Sequence, residues 1–193
     1  MQRTIYIFVN GILTFPGDSR NWTGRAVTHC ITNGILAEKF EYLSGPGLTR
    51  SAFQRNRAAA FARMLSFYED WNLHLIGHSN GADVILDALA MRGWPRLSSL
   101  HLFSPACDED CDKSGLNSVR TAATFIYIAE KDWALRLGGS PVGRFFGFGR
   151  LGLAGPVNYH SPAPYHILRK PNYGHDTWFD SIAWEETMAR ILG

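Results

Sequence analysis

The sequence predicts an α/β fold of three layers, α/β/α, with a central, mostly parallel sheet of about six strands. Two patterns predict it. Continuous apolar runs, of which Ile5-Tyr6-Ile7-Phe8-Val9 is the clearest, are strands buried on both faces. These runs alternate with segments of helical periodicity, and such alternation builds parallel strands joined by helical crossovers. A length of 193 residues with 46% hydrophobic content supports one full core and not two. Residues 1–193 are therefore expected to form a single domain, with no internal repeat and no linker.

In chain order, Thr4–Val9 is the first strand and 11–20 a loop. Trp22–Ile31 reads as a helix, with Asn21 at its N-cap. A second strand is expected over Ala37–Leu43, ended by Ser44-Gly45-Pro46-Gly47. Ser51–Tyr68 is the clearest helix, with Phe53, Ala60, Phe61, Met64, Leu65 and Tyr68 at helical spacing and Arg55, Arg57 and Arg63 elsewhere. Leu73–Ile76 is a short buried strand, and Ala82–Ala90 a helix stopped by Gly93 and Pro95. Strands follow at Ser98–Phe103, Ala123–Ala129 and Tyr165–Arg169, and Ser181–Leu192 is the last helix. The segment 135–164 stands apart, with seven glycines among Phe145, Phe146, Phe148, Leu151 and Leu153. So many glycines oppose regular structure, and so many aromatics oppose a solvated linker. The expectation is a cap or lid-like loop over an apolar pocket, the alternative being an ordered loop packed on the sheet edge with those aromatics in a satellite core.

Nineteen basic against seventeen acidic residues leave no polyelectrolyte signal, which speaks against a nucleic-acid partner. No run approaches the length of a transmembrane helix. Asn10 and Gly11 break the first apolar run and no small-residue cleavage site follows, so the run is read as a strand and the protein as cytoplasmic. Three cysteines fit a reducing compartment better than a disulfide framework. Cys107 and Cys111 flank Asp108-Glu109-Asp110 but lack the neighbouring ligands of a zinc site, so no metal is expected.

Gly77-His78-Ser79-Asn80-Gly81 lies between the strand at Leu73–Ile76 and the following helix. A reversal that tight strains the serine backbone and exposes its Oγ, while the flanking glycines leave room for backbone that a Cβ would block. A serine hydroxyl needs a base within hydrogen-bond reach, and a histidine base needs a carboxylate to fix its tautomer. Asp132 follows the apolar strand Phe125–Ala129, and His175 stands in the loop before the final helix. Asp108, with Asp110 and Asp112, follows the preceding strand and is the rival acid; His160 and His166 are the rival bases. His74 and His101 lie within strands and suit core or surface roles, and Asp176 is expected to be a surface or capping residue. Trp133 and Trp178 are read as packing residues.

With Ser79, Asp132 and His175 in that order, the chain resembles the α/β-hydrolase superfamily over nearly its whole length, as a small serine esterase- or lipase-like member. The resemblance implies that fold truncated at its N-terminus, since only one strand precedes the loop Asn10-Gly11-Ile12-Leu13. It also implies an acyl-enzyme on Ser79, with His175 as base and Asp132 as orienting acid. The oxyanion hole then takes the N–H groups of Asn80 and Ile12, with Asn10 where the family often has histidine. Gly11, His78, Phe145 and Phe146 are assigned to substrate binding, although His78 is expected to point away from the serine's partner. No cofactor is required. The expected substrate is a small carboxylic ester with an apolar acyl or aryl group. The same triad also serves thioesterases, amidases and acyltransferases, and a non-catalytic ligand-binding protein could keep the fold. Phe145-Phe146-Gly147-Phe148 with Arg144 and Arg150 would form an interfacial patch if the protein met a membrane surface.

Overall fold

Along the first strand, β1 (Thr4–Val9), Tyr6 and Phe8 enter one apolar core while Ile5, Ile7 and Val9 enter a second. That two-sided alternation recurs in every central strand and places β1 inside a sheet covered on both faces. The computed structural model describes residues 2–12, 21–43, 48–91 and 97–193. The loop predicted at 11–20 beyond Ile12, the break at 44–47 and the stop signals Gly93 and Pro95 lie outside these residues.

Six strands form one parallel sheet: β1, β2 (Ala37–Phe40), β3 (Asn72–His78), β4 (Ser99–Phe103), β5 (Thr124–Ala129) and β6 (Tyr165–Lys170), in the spatial order β2-β1-β3-β4-β5-β6. The first crossover runs from β1 to β2 over helix α1 (Trp22–Thr32). The chain then returns to the other side of β1, to β3, through α2 (Leu48–Leu65), and α3 (Asn80–Met91) leads on to β4. Crossovers of one hand that change direction must change face, so α1 lies opposite α2 and α3. Trp22, Ala26 and Cys30 of α1 accordingly share a core with Met188 and Ile191 of the last helix, α7 (Trp184–Leu192). Ala58, Phe61 and Leu65 of α2 share the other with Ile85 and Leu89 of α3. The reversal between β1 and β3 opens a crevice at their C-terminal ends, where ligands bind in sheets of this kind.

Several elements depart from the sequence expectation. β2 ends at Phe40, because Glu41 turns to accept hydrogen bonds from Asn21 and Thr23 at the start of α1 and Tyr42 donates to the Asn10 carbonyl at 2.8 Å. The expected helix to Tyr68 tightens into a 3-10 turn at Ser66–Tyr68. Arg57 is not on the outer face: it is buried over the Tyr42 ring and donates to the Leu43 carbonyl, whereas Phe53 is exposed. The last helix starts at Trp184, after a 3-10 turn at Thr177–Phe179.

The largest departure is the glycine-rich segment. It holds three short helices, α4 (Trp133–Gly138), α5 (Pro141–Phe145) and α6 (Leu151–Ala154). The first two have start signals in Asp132 and Ser140, whose side chains accept from Leu135 N and Gly143 N, whereas α6 has no side-chain cap. The glycines serve close packing rather than disorder. A Cβ on Gly149 would overlap the Cys107 carbonyl, and one on Gly152 would overlap the backbone of Ser104 and Pro105. Gly149 N and Gly152 N donate to the carbonyls of Ala106 and Pro105, so backbone lies directly on backbone.

Candidate active site

Ser79 occupies the one-residue turn between β3 and α3 with φ of 54°. A non-glycine residue in the left-handed region carries about 1–3 kcal/mol of strain, which surrounding bonds must offset. Ser79 N donates to Phe103 O at 3.0 Å, while Ala82 N and Ala106 N both donate to Ser79 O at 3.2 Å. The flanking glycines have separate reasons. A Cβ on Gly81 would lie 2.5 Å from the carbonyl oxygens of both Val9 and Asn10, and one on Gly77 would lie 3.0 Å from Ala82 N. Backbone cannot yield there as a flexible side chain would, so the turn closes only with glycine at both places.

His175 Nδ1 lies 2.7 Å from Asp132 Oδ2, and the Asp132 side chain is wholly buried. The other oxygen of Asp132 accepts from Leu135 N at 2.9 Å, so one carboxylate caps α4 and holds the imidazole. That arrangement puts the proton on Nδ1 and leaves Nε2 as the basic nitrogen. Ser79 and His175 line the same cavity, of about 920 Å³. Asp108 is otherwise engaged, accepting from Asp110 N, and Asp110 accepts from Asp112 N. His160 bonds to Asn117 at the surface, and His166 stacks on Phe125. Neither rival base lines the cavity.

Gly11 brings the loop after β1 onto the serine: a Cβ there would stand 2.9 Å from Ser79 Cβ and 3.4 Å from its Oγ. Gly11 and Ile12 line the cavity, and Asn80 is buried at the first position of α3. The Asn80 side chain donates to Tyr42 OH at 3.1 Å, which ties the start of α3 to the loop after β2.

His78 does not point away from the base. Its ring centroid lies 4.7 Å from that of His175, and Nε2 lies 3.1 Å from the His175 carbonyl. Burial, reinforced by His175, pulls the His78 imidazole down to about 4. At neutral pH it is therefore uncharged, and its 3.7 Å approach to Asp176 is not an ion pair. His78, His175 and Asp176 offer ligand atoms within 4.8 Å of one another. The carbonyl, however, must receive a proton from His78 Nε2, which leaves that nitrogen no lone pair for a metal. Cys107 and Cys111 are buried free thiols.

The cavity has walls of different character. Leu137, Val142, Phe146 and Phe148 of the glycine-rich segment line it, and so do Arg25, Asp176 and Asp180 with the stacked, buried rings of Trp22 and Phe179 beside them. Of the predicted substrate contacts, Gly11, His78 and Phe146 line it. Phe145 does not; it is 82% exposed on the outer side of α5. Arg144 and Arg150 both bind Glu109, so they are not presented as an interfacial cationic pair. Burial pushes the Glu109 carboxyl up, but a backbone N–H hydrogen bond together with those from the two arginines outweighs it and holds the group below the usual range. Sequence reasoning did not anticipate Glu109 as the partner of the two arginines, nor Arg25 and Trp133 in the lining. Only the basic pair flanking the phenylalanines hinted at an acidic partner, and nothing local indicated where it was. Trp178 is a packing residue, buried with its indole N–H on Ser104 Oγ at 3.1 Å. His74 and His101 are satisfied within the sheet by Ser99 and Tyr127.

No protein-family model matches the chain, and no curated protein matches it in sequence. Solved structures do. Alpha/beta hydrolase domain-containing protein 10 from mouse superposes with a TM-score of 0.62 at 15% identity, covering 97% of this chain and 87% of that one. Est1E from Butyrivibrio proteoclasticus gives 0.56 at 12% identity, covering 99% and 88%. RedJ, a thioesterase from the prodiginine biosynthetic pathway in Streptomyces coelicolor, gives 0.55 at 14% identity, covering 98% and 89%. At these identities the likeness is one of fold, and the fold is that of the α/β-hydrolases.

Proposed function

We propose that the protein is a serine hydrolase cleaving carboxylic esters. The observation that carries this reading is the 2.7 Å bond from His175 Nδ1 to the fully buried Asp132, facing a cavity that also holds the strained Ser79. Ser79 Oγ attacks the ester carbonyl carbon, and His175 Nε2 takes its proton. The negative charge moves onto the carbonyl oxygen, toward the N–H groups of Asn80 and Ile12. When the ester C–O bond breaks, His175 returns the proton to the departing alkoxide. Water, deprotonated by the same imidazole, then cleaves the acyl-serine and restores the enzyme.

Esterase- and thioesterase-named neighbours support a hydrolase acting on a small molecule. The residues from 135 to 164 act as a cap within one catalytic domain, but as a fixed wall rather than a lid: Gly149 and Gly152 pack on 104–108, and Glu109 holds both arginines. Among the described residues no helix is long and apolar enough to cross a membrane. Three buried free cysteines favour a reducing compartment, and we assign the protein to the cytoplasm. The test is hydrolysis of p-nitrophenyl esters by the wild type against Ser79→Ala and His175→Ala. Turnover that survives both substitutions would remove the reading; its loss in both, with folding intact, is the expected result.

A further inference from the structure

The two walls of the cavity, taken with the direction of proton transfer, point to the polarity of the substrate; this rests on the serine hydrolase reading. His175 must protonate the leaving group, so the alcohol half of the ester has to lie on the side of the His175 loop. Asp176 and Asp180 belong to that loop. Arg25 is fastened to it, donating to the Phe179 carbonyl at 3.0 Å with its guanidinium 4.2 Å from the centre of the Trp184 ring. Trp22 and Phe179 are buried beneath this side, and what it exposes at the mouth is the charged groups of Arg25, Asp176 and Asp180, which suit a small hydroxylated alcohol. The acyl half is left with the apolar lining of Leu137 on α4, Val142 on α5 and Phe146 just after it. A cavity of about 920 Å³ is far larger than an acetyl group needs.

We infer that the substrate is an amphiphilic ester, a long apolar acyl chain joined to a small polar alcohol, with the chain along the 133–148 wall and the alcohol beside Arg25. The reaction transfers the acyl group to Ser79 Oγ, releases the polar alcohol carrying the proton from His175, and then releases the fatty acid to water. Leu151 N and Gly152 N donate to the carbonyls of Cys107 and Pro105, so the end of the segment that carries the apolar wall is tied down before substrate arrives.

The test compares kcat/KM for three esters kept below their micellar concentrations: glycerol monododecanoate, glycerol monobutyrate and dodecyl acetate. The dodecanoate is expected to exceed the butyrate by about 100-fold, since methylenes in an apolar pocket multiply. It should exceed dodecyl acetate, which places the chain on the alcohol side, by a similar factor. Phe146→Ser should reduce the dodecanoate-to-butyrate ratio about tenfold, and Val142→Asp, at an exposed position, should reduce it in the same direction. A flat profile, or preference for dodecyl acetate, overturns the inference. Fluorophosphonate labelling of Ser79 on the same samples separates the two failures. Labelling with a flat profile leaves the hydrolase reading standing, whereas no labelling of folded protein removes both.

Discussion

Asp132 shows how one side chain can serve a helix and a histidine together. Its Oδ1 caps α4 and its Oδ2 holds His175, so the placement of the imidazole is set by the start of that helix. Asp132→Asn keeps the capping oxygen but offers an amide to Nδ1, which inverts the tautomer and puts the proton on Nε2. The expected outcome is a fall in kcat of about 10⁴-fold with little change in melting temperature, measured by steady-state kinetics and calorimetry. Ser79 and His175 stand out in the sequence because each sits at a chain reversal with its own local signature, a strand-to-helix turn for one and a loop before a helix for the other. Asp132 competed with Asp108 at the sequence level, and only the third dimension separates them: Asp108 turns back onto its own loop through Asp110 N. His78 was misplaced in orientation because its partner, the His175 carbonyl, is 97 residues away.

At the scale of elements, glycine means opposite things in a tight turn and in a linker, and the 135–164 segment obeys the rule of the turn. Gly149 and Gly152 are contact points where backbone meets backbone, and α4–α6 are short because each turn must stop for the next such contact. Composition alone reads such a segment as irregular; the capping residues Asp132 and Ser140 were the better guide. Glu109 completes the attachment by receiving Arg144 and Arg150, and the bridge between Asp110 and Val157 anchors the far end. Glu109→Gln weakens both ionic contacts at once. Both arginines are more than 40% exposed, so the expected effect is modest: about tenfold faster amide exchange across 140–152, with the sheet unaffected. Unchanged exchange would show that the glycine contacts alone hold the cap.

At the scale of the whole molecule, the sheet order follows from strands whose patterns the sequence displays plainly, and the crevice at the β1–β3 reversal follows from the order. Less legible were interior polar groups, since a buried histidine looks like any other until its neighbours are known. Burial pulls His101 to about 3 and His78 to about 4 in the folded chain, against 6.5 for a free imidazole. Over that window the unfolded chain binds more protons than the folded one, so stability falls as pH drops below 6.5 and is fully present above it. The melting temperature is expected to be level above neutrality and to decline through mildly acidic pH, with a shallower decline in His101→Asn. The most direct test of the central claim is peptide mass spectrometry after incubation with a fluorophosphonate probe. A single adduct on Ser79, absent from Ser79→Ala and strongly reduced in His175→Ala, is the predicted result. A folded wild-type protein that carries no adduct, or carries it on another residue, would contradict it.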